Sequence, residues 1–170
     1  LGMVIQGNLL GFQWQYFRLF SNTLQAIAIG YLITALLYLH TTIRLMVIIS
    51  AIILIVYSIP FWLGSDYSEQ GNFAIRLDKK ILGPFMDEVY WDEQGKWHFS
   101  PSYNYSWIWS SLTFAVTVMM GVFAGKLIKS GYQSNPYRVF RHLVLIGLGC
   151  LFLGWILGFQ MPIIKRIWTA

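Results

Sequence analysis

Charge is scarce in this sequence. Asp, Glu, Lys and Arg make up 11% of its 170 residues, against about 25% in an ordinary soluble domain, and a chain of this size cannot hide the difference in a large core. Cysteine is nearly absent. Cys150 stands alone in an apolar run, which excludes a disulfide framework or a thiolate metal cluster and leaves a small buried or lipid-facing hydrophobe. Acidic residues are missing from most of the chain: Asp66, Glu69, Asp78, Asp87, Glu88, Asp92 and Glu93 are the complete set, all between residues 64 and 106. Several catalytic signatures are also missing. The chain has no glycine-rich phosphate loop followed by Lys-Ser/Thr, no His-Glu-x-x-His, no Gly-x-Ser-x-Gly and no Cys-x-x-Cys, so the chemistries those spacings serve have no support here.

What is present is hydrophobic. Apolar residues are 56% of the chain and its mean hydropathy is +0.56. The expected fold class is all-α, a polytopic transmembrane helix bundle forming a single integral membrane region over 1–170. Four complete spans are expected at about 23–39, 43–63, 107–127 and 139–161. Partial spans are expected at both ends, and one long extracytoplasmic loop at about 64–106. Leu1 to Leu10 is apolar without a basic leader and reads as the tail of a helix, so the chain is expected to be an internal piece of a larger protein. Ser21 and Asn22 are N-cap types ahead of the first full span. Residues 72–83 read as a short amphipathic surface helix, with Ala74, Leu77, Ile81 and Phe85 toward the membrane and a solvated polar face. The Gly121/Gly125 and Gly154/Gly158 spacings are explained by helix packing.

Basic residues set the expected topology. The two short loops joining spans at the same edge carry Arg44, Lys126, Lys129, Arg138 and Arg141 without one acid, so that edge reads as cytoplasmic. The acidic, aromatic loop then faces outside, with Trp62, Tyr67, Tyr103, Tyr105, Trp107 and Trp109 in the outer aromatic belt. The net charge of +5 lies in loops between apolar spans rather than on one face, so it does not indicate nucleic acid. His40 and His142 read as interfacial polar residues. His98, between Trp97 and Phe99, has no nucleophile or carboxylate placed by spacing to make it a base. Gln25, one turn into a span, needs a partner in the bilayer, either a neighbouring helix or a substrate.

Four segments, in order along the chain, resemble the transmembrane acyltransferases related to heparan-α-glucosaminide N-acetyltransferase, including a bacterial branch of unknown function. They are Asn22-Thr-Leu-Gln25-Ala-Ile-Ala-Ile-Gly30-Tyr31, the run Asn72-x-Ala74 to Asp78-Lys79 and Leu82-Gly83, Gly121-Val-Phe-Ala-Gly125-Lys126, and Met161-Pro162-Ile-Ile-Lys165-Arg-Ile-Trp168-Thr169. Ala26 stands where many relatives have Arg. Residues 102–107 lack the Asp-Pro-Glu-Gly carboxylates of the family, which points to a divergent bacterial branch.

The resemblance implies a membrane-embedded enzyme of the bacterial inner membrane that passes an acetyl group from cytoplasmic acetyl-CoA to an extracytoplasmic sugar or glycan. It implies Asn72, Asp78 and Gln25 as substrate-side residues, and Lys126, Lys129 and Arg138 as contacts to CoA phosphates. The family's catalytic histidine precedes Leu1, so no catalytic residue is named. The lipid bilayer is the expected surrounding, a second copy of the chain is a further candidate partner, and no metal or nucleic acid is expected. The competing class is non-enzymatic: a transporter or flippase segment, or a membrane scaffold subunit.

Overall fold

A computed structural model gives the architecture; it describes residues 4, 13, 15, 17–20, 22–64, 66–68, 71–87, 89–101, 105–131 and 135–159. Among the described residues, four helices are long and apolar enough to cross a membrane: α1 (Thr23–His40), α2 (Ile43–Trp62), α4 (Ile108–Gly131) and α5 (Pro136–Gly158). Between α2 and α4 the polar segment holds α3 (Phe73–Leu82), a 3₁₀ turn (Gly83–Phe85), and a hairpin of β1 (Val89–Trp91) and β2 (Trp97–Phe99). The chain is an all-α membrane bundle with one small antiparallel ribbon. Apart from Val4, the expected partial spans at 1–10 and 165–170 lie outside the described residues, as do Gly7, Gly11 and Pro162.

Each helix begins on a side-chain oxygen, which is how a chain in hydrocarbon satisfies the first N–H groups of a helix. Asn22 Oδ1 accepts from Gln25 N at 3.2 Å, Thr42 Oγ1 from Leu45 N at 3.4 Å, Asn72 Oδ1 from Ile75 N at 2.9 Å and Asn135 Oδ1 from Arg138 N at 3.0 Å. The cap of α4 comes from a distant residue, described below. Asn135 followed by Pro136 starts α5 three residues earlier than expected, because Pro suits the first helical position. The fourth span is therefore 136–158 rather than 139–161, and α4 runs on to Gly131.

Helices α1 and α4 run parallel, since Gly30 meets Phe114 and Ala115 while Tyr38 meets Lys126. They come into backbone contact at Gly30, where an added Cβ would lie 3.0–3.1 Å from the backbone of Phe114 and Ala115. Apolar side chains gain nothing from burial when lipid is the alternative, so intimate backbone contact is what holds such helices together. Thr34 Oγ1 adds a hydrogen bond to Ala115 O at 3.2 Å. The core of the bundle is Met46, Ala115, Val116 and Met119, flanked by Ile33, Leu37 and Ile53. Ser50 Oγ donates to Met46 O and also contacts Met119 Sδ.

Two expectations about glycine and amphipathicity are corrected. An added Cβ at Gly121, Gly125, Gly154 or Gly158 meets nothing within 4 Å, so among the described residues these pairs do not mediate helix packing; the close contact uses Gly30 instead. Likewise, α3 buries Ala74, Ile75, Asp78 and Leu82, while Ile81 is 59% exposed. Its inner face is turned toward α4 because Asp78 has to reach that helix, so Asp78 does not stand on the solvated polar face expected for it.

Cys150 is exposed on α5, consistent with a lipid-facing residue. Helix α5 packs on α4, and Val139 is its one buried residue.

Glycine substitutions test the α1–α4 contact. Gly30→Ala is expected to destabilise the bundle by about 1–3 kcal/mol through overpacking against backbone. Gly121→Ala, placed in open space, is expected to be neutral or stabilising by up to about 1 kcal/mol. Thermal unfolding of the two variants in detergent reads the difference, and equal melting temperatures would contradict the packing described.

Candidate functional site

The polar segment and the membrane helices meet at one buried junction. Asn72 is fully buried; besides capping α3 through Oδ1, it donates from Nδ2 to Ser68 O at 2.8 Å. A turn and a half further along α3, Asp78 is also fully buried. Its carboxylate accepts from Trp107 N at 2.5 Å and from Ile108 N at 3.1 Å. These N–H groups open α4, so Asp78 acts as its N-terminal cap from another helix, with its charge at the positive end of the helix dipole. Burial pushes the Asp78 carboxyl up to about 7, against the opposing pull of the Trp107 and Ile108 N–H groups.

Hydroxyls continue the junction into α4. Ser106 Oγ and Ser110 Oγ share a hydrogen bond, Ser110 also bonds the Tyr57 side chain, and Ser111 Oγ donates to Trp107 O at 2.6 Å. Aromatic rings cover the cluster. Trp109 stacks on Tyr57 with centroids 6.2 Å apart, donates its indole N–H to Tyr57 O, and meets Phe73 edge-on. Trp107 is 3% exposed, so it belongs to the interior rather than to the outer aromatic belt where it was expected. Trp62 is 51% exposed; Tyr103 lies outside the described residues. The sequence signal for Asn72 and Asp78 was their place in the 72–83 segment that carries the resemblance. Ser106, Ser110 and Tyr57 carried no comparable signal, because isolated hydroxyls in apolar spans ordinarily bond their own helix.

At the opposite ends of α1 and α4, a cavity of about 380 Å³ is lined by Tyr38, Val122, Gly125, Lys126 and Lys129. Lys126 Nζ lies 5.6 Å from the centre of the Tyr38 ring, a cation–π arrangement. Two of the three expected CoA contacts are thus brought together. Arg138 is not part of this lining; it stands exposed in the first turn of α5. Gln25 sits half-buried in the first turn of α1, at the same end of the bundle as the Asp78 junction, because α1 and α4 both begin there.

His98 belongs to neither place. It meets Asp92 at 2.9 Å across the hairpin, and the Asp92 carboxylate also accepts from Gln94 N and Lys96 N. Those backbone and imidazole contacts hold the Asp92 carboxyl below the usual range. The pair fastens a five-residue turn in which Gly95 has φ +76°. Arg18 is 8% exposed. It donates to Val89 O at 2.6 Å and Gln15 O at 2.7 Å, stitching the chain before α1 to the start of the hairpin. Among the described residues no group of three metal-ligating side chains forms. Comparison with family models, curated proteins and solved structures finds no match to this chain.

The Asp78 cap carries a prediction about pH. Its folded value of about 7 stands above the ordinary 3.8, so folding takes up a proton between those values. The associated stability is fully present below about pH 4 and declines as pH rises through 7. Asp78→Ala leaves two buried N–H groups without an acceptor and is expected to cost about 2–4 kcal/mol. Asp78→Asn keeps the volume and is expected to flatten the dependence between pH 5 and 8. Denaturant unfolding across that range checks both; a wild-type slope that persists in Asp78→Asn assigns the titration elsewhere.

Proposed function

We propose that this chain is the membrane-embedded part of an acyltransferase that passes an acetyl group from acetyl-CoA, at the Lys126 end, to a hydroxyl or amine of a sugar at the loop end. The observation that carries the reading is the chemical difference between the two ends of one parallel helix pair. At one end, Lys126 and Lys129 line a cavity and have no carboxylate partner among the described residues. At the other, Asn72, Asp78, Ser106 and Ser110 form a buried polar junction beneath an aromatic cover. The resemblance of four segments, in order, to the transmembrane acyltransferases supports the same assignment.

In this reading Lys126 and Lys129 meet CoA phosphates, and Arg138 contributes from the start of α5. Gln25 serves as a polar contact on the acceptor side. Asn72 and Asp78 act as positioning residues that fix the first turn of α4, because their hydrogen bonds already go to neighbouring backbone groups. In the same reading the Lys126 end faces the cytoplasm of a bacterium and residues 64–106 lie outside the inner membrane; the basic short loops support that orientation.

A non-enzymatic scaffold or transporter segment is the second reading. The commitment of both Asn72 and Asp78 to helix capping favours it, since a structural part needs that and nothing more. Titration calorimetry of CoA into the folded chain in detergent separates the two. The acyltransferase reading expects micromolar affinity and a loss of about tenfold or more when Lys126 and Lys129 are both changed to Glu. A helical, inserted chain that binds no CoA supports the scaffold, and unchanged affinity in the double variant removes the lysines from the site.

A further inference from the structure

The groove between α1 and α4 continues beyond the basic cavity. A second cavity, of about 590 Å³, is lined by Ile27, Tyr31, Phe114, Thr117 and Gly121, and it shares Val122 with the first. The two adjoin at Val122 and follow one face of α4, a track from Phe114 to Lys126 and Lys129. The glycines are its floor: a Cβ at Gly121 or Gly125 would meet nothing within 4 Å. Tyr31, at 62% exposure, stands at the open edge, so the track faces the surroundings of the bundle rather than its core.

From Phe114 to Lys126 the helix rises about 18 Å. One leaflet of hydrocarbon is about 15 Å deep, half of a bilayer core. The track thus has the length of one acyl chain and a mainly apolar lining: the Thr117 hydroxyl already donates to Thr113 O, and the other hydroxyls are those of Tyr31 and Tyr38. A ligand rich in amides would lose its hydrogen bonds there, whereas a hydrocarbon chain loses none. At the end of the track the chemistry changes within one turn. Lys126 and Lys129 extend from the last turns of α4, where long cationic side chains reach the headgroup level. All seven acidic residues belong to the polar segment at the other edge, so the charge of this mouth is uncompensated by the described residues.

We infer that this track is a binding site for an anionic glycerophospholipid, with one acyl chain lying over Gly121 and Gly125 and the phosphate held by Lys126 and Lys129. Charge complementarity selects the headgroup, and the open glycine floor admits the chain. The mouth of the track is the one proposed above to meet CoA phosphates, so lipid and CoA would compete for Lys126 and Lys129; the measurement below contains no coenzyme and reads the lipid alone.

Native mass spectrometry of the full chain in detergent, with added dioleoyl phosphatidylglycerol or dioleoyl phosphatidylcholine, tests it. Phosphatidylglycerol is expected to remain bound at one copy, about tenfold or more tighter than phosphatidylcholine. The Lys126→Glu/Lys129→Glu variant is expected to reduce it to the phosphatidylcholine level. Gly121→Leu and Thr117→Trp each fill the track and are expected to weaken phosphatidylglycerol by a similar factor while helix content by circular dichroism stays unchanged. Two filling variants are used so that either one produced in helical form decides the question. Equal retention of the two lipids overturns the inference. So does full phosphatidylglycerol binding in a folded filling variant, which would reduce the site to a surface contact with headgroups.

Discussion

The carboxylate of Asp78 meeting the first N–H groups of α4 is the interaction on which the rest of this structure depends. It joins the two chemically unlike parts of the chain: a polar segment whose turns can use water, and a bundle whose backbone must be satisfied from within. Both parts gain a fixed reference from it. Helix α4 starts at a defined residue, and every later contact along it follows at helical intervals: Ser110 with Tyr57, Ala115 with Gly30 and Thr34, Lys126 with Tyr38. Helix α3 is in turn rotated so that its carboxylate points inward, which decides that Ile75 is buried and Ile81 is not.

Much of the bundle was legible because it follows from composition. Runs of apolar residues near the thickness of a bilayer leave few alternatives, and the boundaries of α1 and α2 coincide with Asn22 and Thr42 as caps. What composition could not convey is which faces meet. Gly30 and Gly121 look alike in sequence, yet one lies against backbone and the other over open space; the difference comes from how α1 and α4 are paired. Asp78 was legible as a residue of interest and misleading as a solvated one, since its partners, Trp107 and Ile108, are about 30 residues away. The hairpin at 89–99 was missed because strands of three residues are too short to show alternation. Its signal was the pair of aromatic triplets, Val89–Trp91 and Trp97–Phe99, around a turn containing Gly95.

Lysine placement ties the functional readings to this geometry. Lys126 and Lys129 are ordinary residues for the end of a membrane helix, where cations complement the dipole and the headgroup layer. They become more specific because α1 ends beside them and Tyr38 forms a wall. A cavity with a cationic rim and an apolar extension has a direction, and ligands with a phosphate at one end and a hydrocarbon chain at the other have the same one.

The pairing of α1 with α4 also bears on how the molecule is made. Thr34 and Ala115 are 81 residues apart in sequence, and α1 packs chiefly on α4 rather than on its neighbour α2. At about 5–20 residues per second of synthesis, α1 waits on the order of 4–16 s for its principal partner to emerge. During that interval α1 and α2 sit in the membrane with Gly30 not yet covered by α4. The α1–α4 contact is therefore a late closure, and the interval before it is when the exposed face of α1 is open to other binding partners.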